Sequence, residues 1–256
     1  MKMKKIISIY QKERFPGKDI FLFILILILT SWGHKVFSQV KLSDTLKIKS
    51  TLDFEINGSG SSEKWDKVEW LVIPQRISSG KALYTKMKIL HSSEGLYFLF
   101  SCEDKKLTAT MNADFMDIWN EDVVEIFLLP DEQYPVYFEY EISPFNYELP
   151  ILISNEQGDL VRWMPFHYDY DRKTHHFTTI QGGEKKSNAI ISGWIAEFFI
   201  PYKLLRPLIN SLPKPGSVWR ANFCRIDYDD SVSKWSWQLT NKTFHEFKKF
   251  GFLMFE

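Results

Sequence analysis

Short runs of β-prone residues, separated by Gly, Pro, Asn and Asp, recur along the chain from residue 52 to residue 255. The runs do not alternate with helical stretches, which argues against a parallel α/β sheet. One short helix is predicted at 202–209, although Pro207 weakens it. The pattern therefore predicts an all-β chain that forms a single antiparallel β-sandwich. The predicted strands are 52–56, 84–90, 96–102, 123–129, 136–143, 160–163, 176–180, 190–200, 218–226, 235–239 and 252–255.

A secretory signal peptide is predicted over residues 1–38, which leaves residues 39–256 as one domain. A basic leader precedes an uninterrupted apolar run at 20–30, and Val36 and Ser38 stand at the −3 and −1 positions of a cleavage site. A membrane anchor is the rival interpretation, but the run falls short of the roughly 20 residues that span a bilayer. The sequence thus predicts an exported protein, periplasmic or secreted, without a transmembrane segment after cleavage.

Composition narrows the classes of function. The formal net charge is zero and the basic clusters are short, which argues against a nucleic-acid surface. Aromatic residues make up 16% of the chain and nine of them are Trp, a composition common in exported β proteins that bind glycans. Cys102 and Cys224 each lie in a strand-like run, so either a disulfide or two buried thiols would fit.

The segment 119–130 is the most informative about function. It places Trp119 six positions before Glu125, which shares a strand face with Val123, Phe127 and Leu129. A carboxylate on an apolar face needs a partner, which could be an Arg, several hydrogen-bond donors or a polar ligand. An aromatic ring beside an acid suits a sugar, since the ring covers the C–H face and the acid accepts from hydroxyls. The alternative is a core Trp with an internally paired Glu.

Other acids favour structural roles over catalysis. Glu139 and Glu141 share one strand face about 6.5–7 Å apart, whereas glycoside hydrolysis needs carboxylates that flank the bond from opposite sides. We expect this pair to be exposed to solvent or paired with Lys and Arg, and we expect Glu197 to form an internal ion pair. The six histidines have no zinc-protease spacing, and no Gly-x-Ser-x-Gly motif occurs. The sequence therefore indicates a binding protein and not an enzyme.

A cluster of acids in a turn offers the best metal candidate. Asp227, Asp229 and Asp230 would suit structural calcium, which prefers clustered oxygen ligands. A solvated turn without a metal is the alternative. No cofactor is required by the sequence.

Several motifs, in order, resemble carbohydrate-binding module family nine over most of residues 39–256. The resemblance implies a β-sandwich related to the DOMON sugar- and haem-binding domains. It also implies structural calcium and a sugar, often the reducing end of a chain, held between two tryptophans. The motifs begin with Trp65, Trp70 and 96–104, continue with 119–127, 140–144 and 194–201, and end with 219–226 and 250–252.

The resemblance assigns site residues one by one. Trp119 and Glu125 match the family's clamp Trp and hydrogen-bonding Glu, and the second clamp Trp would be Trp235 or, marginally preferred, Trp237. Asn222 and Arg225 are candidate sugar donors, although alternation puts them on opposite faces of their strand. The family's founding modules are joined to xylanases, whereas no catalytic domain is apparent in this sequence. The expected partners are an oligosaccharide or polysaccharide, together with polysaccharide-degrading enzymes.

Two alternatives to sugar binding remain at this point. A DOMON-like redox domain would hold haem through Met and His, for which Met116, Met164 and His167 are the available ligands. A sandwich whose sugar site has degenerated would act as a scaffold instead.

Overall fold

The structure is a computed structural model that describes residues 43–78, 80, 82–134, 136–157, 159–229 and 231–256. The predicted signal peptide lies outside the described residues. Within them, no helix combines the length and the apolar character that crossing a bilayer requires.

Fourteen strands and four single-turn 3-10 helices make up the regular structure of the described residues. The 3-10 helices are Glu63–Lys67, Ile118–Asn120, Tyr170–Arg172 and Phe247–Lys249. The strands are β1 Thr45–Ser50, β2 Leu71–Ile73, β3 Gln75–Ile77, β4 Thr85–His91, β5 Gly95–Glu103, β6 Val123–Leu129, β7 Val136–Ile142, β8 Glu148–Glu156, β9 Asp159–Pro165, β10 His175–Gln181, β11 Gly193–Pro201, β12 Val218–Asp227, β13 Ser233–Ser236 and β14 Gly251–Phe255.

The strands form two layers that β1 connects. The first sheet has the order β10-β11-β5-β4, with β2 beside β4, and the second has the order β14-β12-β6-β7-β8-β9. β13 pairs with both β12 and β3 at the second sheet. β1 pairs in parallel with β14 and with β4, while the pairings among the other strands are antiparallel. The predicted antiparallel β-sandwich is confirmed.

Alternating side chains divide the apolar residues among three layers. The central core between the sheets contains Phe98, Phe198 and Phe223. A second cluster, which includes Val123 and Phe127, covers the far side of the second sheet and is called here the outer cluster. A smaller cluster around Trp65 covers the far side of the first sheet. The inner strands β5, β6 and β12 are thus buried on both faces, which explains their nearly continuous apolar sequences.

Two predicted elements are absent from the structure. Residues 202–209 form successive turns instead of a helix, because Pro207 has no N–H and the turns bury Leu204, Leu205 and Leu208. Residues 52–56 are not a strand, since they cross the far side of the first sheet and Phe54 stacks on Tyr97 at 4.2 Å.

The two cysteines are free thiols in different layers of the sandwich. Cys102 belongs to the central core and Cys224 to the outer cluster. Of the two arrangements that the sequence allowed, the structure has the buried thiols.

Candidate functional site

A cavity of about 450 Å³ opens on the far side of the second sheet. β6, β7, β8 and β9 supply its floor and one wall, and residues 242–246 supply the opposite wall. The backbone of that second wall is fixed where Asn155 Nδ2 donates to His245 O at 2.8 Å. The cavity therefore rests on the most regular part of the fold.

Trp119 lies at this cavity because hydrogen bonds fix the loop that carries it. The buried Asp122 carboxylate accepts the amide of Thr108 at 2.6 Å and that of Tyr228 at 2.9 Å. Tyr228 Oη in turn donates to Trp119 O at 2.8 Å. The acidic lead-in that precedes β6 thus sets the position of the ring.

The second aromatic ring at the cavity is Trp163 of β9. Its ring centroid lies 5.2 Å from that of Trp119, with the planes at 76°, so the rings touch edge to face. Trp163 is 40% exposed, because β9 is the outermost strand of the second sheet. The sequence prediction of the site did not include Trp163, although the residue lies in the predicted strand 160–163. The signal that could have revealed it is a Trp in a short strand next to charged residues, which is typical of an exposed edge strand.

Trp235 and Trp237 do not form the second half of a clamp, which corrects the sequence prediction. They are 0% and 1% exposed and belong to the central core. Trp237 stacks on Phe223 at 5.4 Å, and Trp235 Nε1 donates to Leu83 O at 3.1 Å. Both rings lie on the opposite side of the second sheet from the cavity, so neither can face Trp119.

Asn222 and Arg225 are also unsuited to contact a ligand. As alternation required, Asn222 shares the face of Glu125 and Arg225 points into the sandwich, but both are 0% exposed. Asn222 Oδ1 accepts the amide of Gln238 at 2.9 Å, and its Nδ2 donates to Gln238 O at 3.2 Å. Polar atoms of both side chains are thus engaged in hydrogen bonds within the protein.

Three carboxyl groups form the polar part of the cavity floor and are called here the floor cluster: Glu125 of β6 and Glu139 and Glu141 of β7. They are only 1–3% exposed, and one carboxylate oxygen of each lies within 4.8 Å of those of the others. The expectation that Glu139 and Glu141 are exposed or paired with Lys and Arg is wrong. Antiparallel pairing of β6 with β7 sets Glu141 opposite Glu125 and so brings the group together.

Burial and mutual repulsion dominate the electrostatics of the floor cluster. Burial raises the pKa of Glu125 to about 8, against an opposing effect of Lys234. Burial and the neighbouring carboxylates hold the pKa of Glu139 and of Glu141 well above the ordinary value. These groups therefore take up protons, or favour a cation, more readily than exposed glutamates do.

Glu197 has internal partners, but they are not the predicted cation. Its carboxylate accepts the Trp65 indole N–H at 2.7 Å and the amide of Gly58 at 2.7 Å. Hydrogen bonds from neutral groups thus satisfy this acid on the far side of the first sheet.

The candidate calcium ligands Asp227 and Asp229 do lie together, but with Asp104, while Asp230 lies outside the described residues. All four carboxylate oxygens of Asp104 and Asp227 accept protein hydrogen bonds. Arg225 Nη2 donates to one oxygen of each, at 3.0 and 2.5 Å, and backbone amides donate to the others. Arg225 thus places a positive charge between Asp104 and Asp227, and structural calcium at this cluster stays a prediction.

The proposed haem ligands gain no support from their positions. Met116 and Met164 are 38% and 55% exposed, and His167 stacks on Phe115 at 4.0 Å. None of the three lines this cavity or the second cavity, of about 520 Å³, which lies beside Arg220.

Comparisons with solved structures show what this fold resembles. A presumed carbohydrate-binding protein from Bacteroides uniformis ATCC 8492 has a TM-score of 0.64 and 16% identity over 83% of this chain and 99% of that one. A carbohydrate binding module family 9 from Caldicellulosiruptor kristjanssonii was solved with cellotriose and with glucose. The cellotriose complex has a TM-score of 0.57 and 17% identity over 82% of this chain and 94% of that one. The glucose complex has a TM-score of 0.58 and 16% identity over 82% and 96%.

At these identities the structural likeness shows the fold alone, and a comparison with curated proteins gives no match. The sequence pattern of one family, described as carbohydrate family 9 binding domain-like, matches residues 56–256. That match covers both sheets and every residue of the cavity. The chain belongs to the carbohydrate family 9 binding domain-like proteins.

Proposed function

We propose that the chain is an exported, non-catalytic carbohydrate-binding protein whose sugar site is the cavity above the floor cluster. Family membership supports sugar binding, and the signal peptide predicted at 1–38 supports export. A role beside polysaccharide-degrading enzymes follows from the same resemblance. The complexes of the relatives with glucose and cellotriose make these two sugars the first ligands to test.

The observation that carries the proposal is that the edge-to-face pair of Trp119 and Trp163 lines the same cavity as three buried carboxyl groups. A pyranose has an apolar C–H face that packs on an indole and a rim of hydroxyls that bind acids. Ile151 and Ile153 add apolar side chains to the same cavity. A low local dielectric strengthens the hydrogen bonds that a bound sugar forms there.

The ring geometry differs from a parallel clamp. A sugar between two parallel rings needs about 7–8 Å, since each contact takes roughly 3.5–4.0 Å. Trp119 and Trp163 touch each other at 5.2 Å. The sugar therefore packs on the exposed faces of the pair, or Trp163 turns outward from its edge strand to admit it.

Chain-end binding is the mode that we propose for this site. Residues 242–246 form one wall of the cavity and the floor cluster closes it below, which limits how far a polysaccharide can continue beyond the bound sugar. A cellotriose reduced to its alditol should then bind at least about tenfold more weakly than cellotriose, as calorimetry would detect. Equal affinities would show that the site does not recognise the reducing end of the chain.

Titration calorimetry with glucose, cellotriose and a broad oligosaccharide panel tests the proposal. A disaccharide of about 23 heavy atoms, at roughly 0.3 kcal/mol per atom, should bind near 10 µM. Trp119→Ala and Trp163→Ala should each weaken binding at least about tenfold, since losing a large apolar contact costs about 1.5–3 kcal/mol.

Trp70→Ala is the matched control. Trp70 is a half-buried Trp in contact with Lys86 and Lys88 of the first sheet, away from the cavity. This variant should bind as the parent does. If a sugar binds and both cavity variants bind it normally, the site lies elsewhere; if no sugar of the panel binds, the proposed function is wrong.

A further inference from the structure

The floor cluster brings together three carboxyl groups that have no Lys or Arg ion-pair partner among the described residues. Within the described residues, Glu139 Oε2 and Glu141 Oε2 are buried and accept no hydrogen bond from a backbone or cationic donor; the hydrogen-bonding neighbour of each carboxyl group is the other one. Both side chains line the cavity, but these two oxygens are buried, so a ligand that enters the cavity reaches them when the carboxyl groups rotate towards it. A buried acceptor without a donor is costly, which makes an entering donor favourable.

The basic groups at the cavity do not supply a cationic partner in contact with the floor cluster. Lys234 influences Glu125 through space, but its Nζ lies over the Phe244 ring at 5.6 Å. His245 Nδ1 is 3.8 Å from Glu139 Oε2, yet burial lowers the pKa of this imidazole to about 4. The imidazole is therefore neutral at neutral pH, and it adds no positive charge to the floor.

We propose that the carbohydrate bound here carries a free amino group, whose ammonium lies on the floor cluster. This inference rests on the proposed function and names the ligand class as oligosaccharides that contain glucosamine-type units without N-acetyl groups. A primary ammonium has three N–H donors, which matches three carboxyl groups whose oxygens lie within 4.8 Å of one another. The indole faces of Trp119 and Trp163 favour a cation at the same place.

A divalent metal ion would satisfy the charge less well. Calcium takes six to eight oxygen ligands, whereas the floor cluster is bordered by the apolar side chains of Ile151, Ile153 and Ile226. The cavity, at about 450 Å³, is also large enough for an organic ligand, and the aromatic rings of Trp119 and Trp163 line it. An ammonium on a sugar uses the carboxyl groups and the rings together.

Raised carboxyl pKa values agree with this assignment. In the free protein, protons relieve the repulsion among the three groups, and burial holds their pKa values above the ordinary range. An arriving ammonium displaces those protons to the solvent, and its positive charge and three N–H donors take their place.

Titration calorimetry of the full chain with three disaccharides of matched linkage tests the inference. The disaccharides are cellobiose, β-1,4-linked glucosamine disaccharide and its fully N-acetylated form, in EDTA at about pH 6, where the amine is protonated. The glucosamine disaccharide should bind at least about tenfold more tightly than either of the others. In Glu141→Gln and in Glu139→Gln its advantage over cellobiose should fall below about threefold. Two variants are used so that a misfolded one, recognised by circular dichroism, leaves the other.

The exposed Glu55, on the far side of the first sheet, provides the matched control. Glu55→Gln should keep the tenfold preference. Equal affinities for cellobiose and the glucosamine disaccharide would refute the ammonium inference while the proposed function stood. A preference that appeared only with added calcium would assign the floor cluster to a metal ion instead. The absence of binding by all sugars, including the broad panel, would refute the proposed function as well.

Discussion

At the scale of single residues, the decisive contrast is between aromatic rings that build the core and rings that face the cavity. Two tryptophans, Trp119 and Trp163, line the cavity and keep part of their surface exposed. Two others, Trp235 and Trp237, are fully buried in the central core. Their sequence contexts do not separate them, because a Trp in a strand can point to either face. The register of strand pairing determines which face of the sheet each Trp lies on, and the register depends on which strands pair.

Trp237→Ala should lower the free energy of unfolding by about 3–5 kcal/mol, because it removes a fully buried ring from the central core. Trp163→Ala should lower it by less than about 1.5 kcal/mol, because that ring is 40% exposed. Urea unfolding of the two variants measures the difference. Equal losses would place the two rings in similar environments and contradict the assignment.

The pH dependence of stability should reveal the floor cluster. The folded-state pKa of Glu125 is about 8 and that of Glu141 lies well above the ordinary 4.5, so the folded protein binds protons more strongly than the unfolded chain. Their contribution to stability is therefore complete below about pH 4.5 and is lost as the pH rises through the folded-state values. Each extra proton changes the free energy of unfolding by about 1.4 kcal/mol per pH unit.

Glu141→Gln should flatten this dependence between about pH 5 and pH 8, because glutamine resembles the protonated acid and does not titrate. Chemical unfolding at several pH values measures it, with Glu55→Gln as the exposed control. A variant whose stability fell with pH as steeply as the parent's would mean that Glu141 is ionised at little cost in the folded protein.

At the scale of elements, strand positions followed from sequence wherever apolar alternation was strong. β6 was predicted at its observed bounds, and β4, β5, β7, β10, β12 and β14 lie within two residues of prediction. β1, β2, β3 and β8 were missed. β8 carries Pro150 in its interior and β2 and β3 are three residues long, so local signals were weak.

The candidate site was predictable only in part for the same reason. Trp119 and Glu125 stand on one continuous segment, so local alternation sufficed to connect them. Glu139, Glu141 and Trp163 join them only through the pairing of β6 with β7, β7 with β8 and β8 with β9. The spacing of residues in the sequence does not predict which strands pair.

Hydrogen exchange should be faster in β9 than in β6, because β9 is an edge strand with all seven residues exposed. A bound sugar should slow exchange in β9 by its contact with Trp163 and leave β10, the edge strand of the first sheet, unchanged. Mass spectrometry of peptides from 159–165 and 175–181 measures both. Slowing confined to β10 would place the ligand on the other sheet.

At the scale of the whole molecule, a buried arginine connects the two sheets. Arg225 of the second sheet donates to Glu103 O at 2.6 Å and to Thr85 Oγ1 at 3.2 Å, both in the first sheet. It also forms ion pairs with Asp104 and Asp227, and it opposes the burial that raises the pKa of Asp104 to about 7.

Arg225→Met should therefore lower the free energy of unfolding by about 3–5 kcal/mol, because it leaves buried carboxylates without their counter-ion. EDTA should leave the melting temperature of the parent unchanged, and added calcium should not raise it. Calorimetric or fluorescence melting curves measure both. A loss of stability in EDTA would show that a metal ion, and not Arg225 alone, holds this region together.

We propose that carbohydrate binds at Trp119 and Trp163, in the cavity that the floor cluster also lines. The most direct test follows the indole N–H signals of the tryptophans by nuclear magnetic resonance during titration with cellotriose or the tightest ligand of the panel, with signals assigned through Trp→Phe variants. We expect the signals of Trp119 and Trp163 to shift with saturation, while those of Trp235, Trp237 and Trp70 stay in place. Saturable shifts that left Trp119 and Trp163 unmoved would contradict the account.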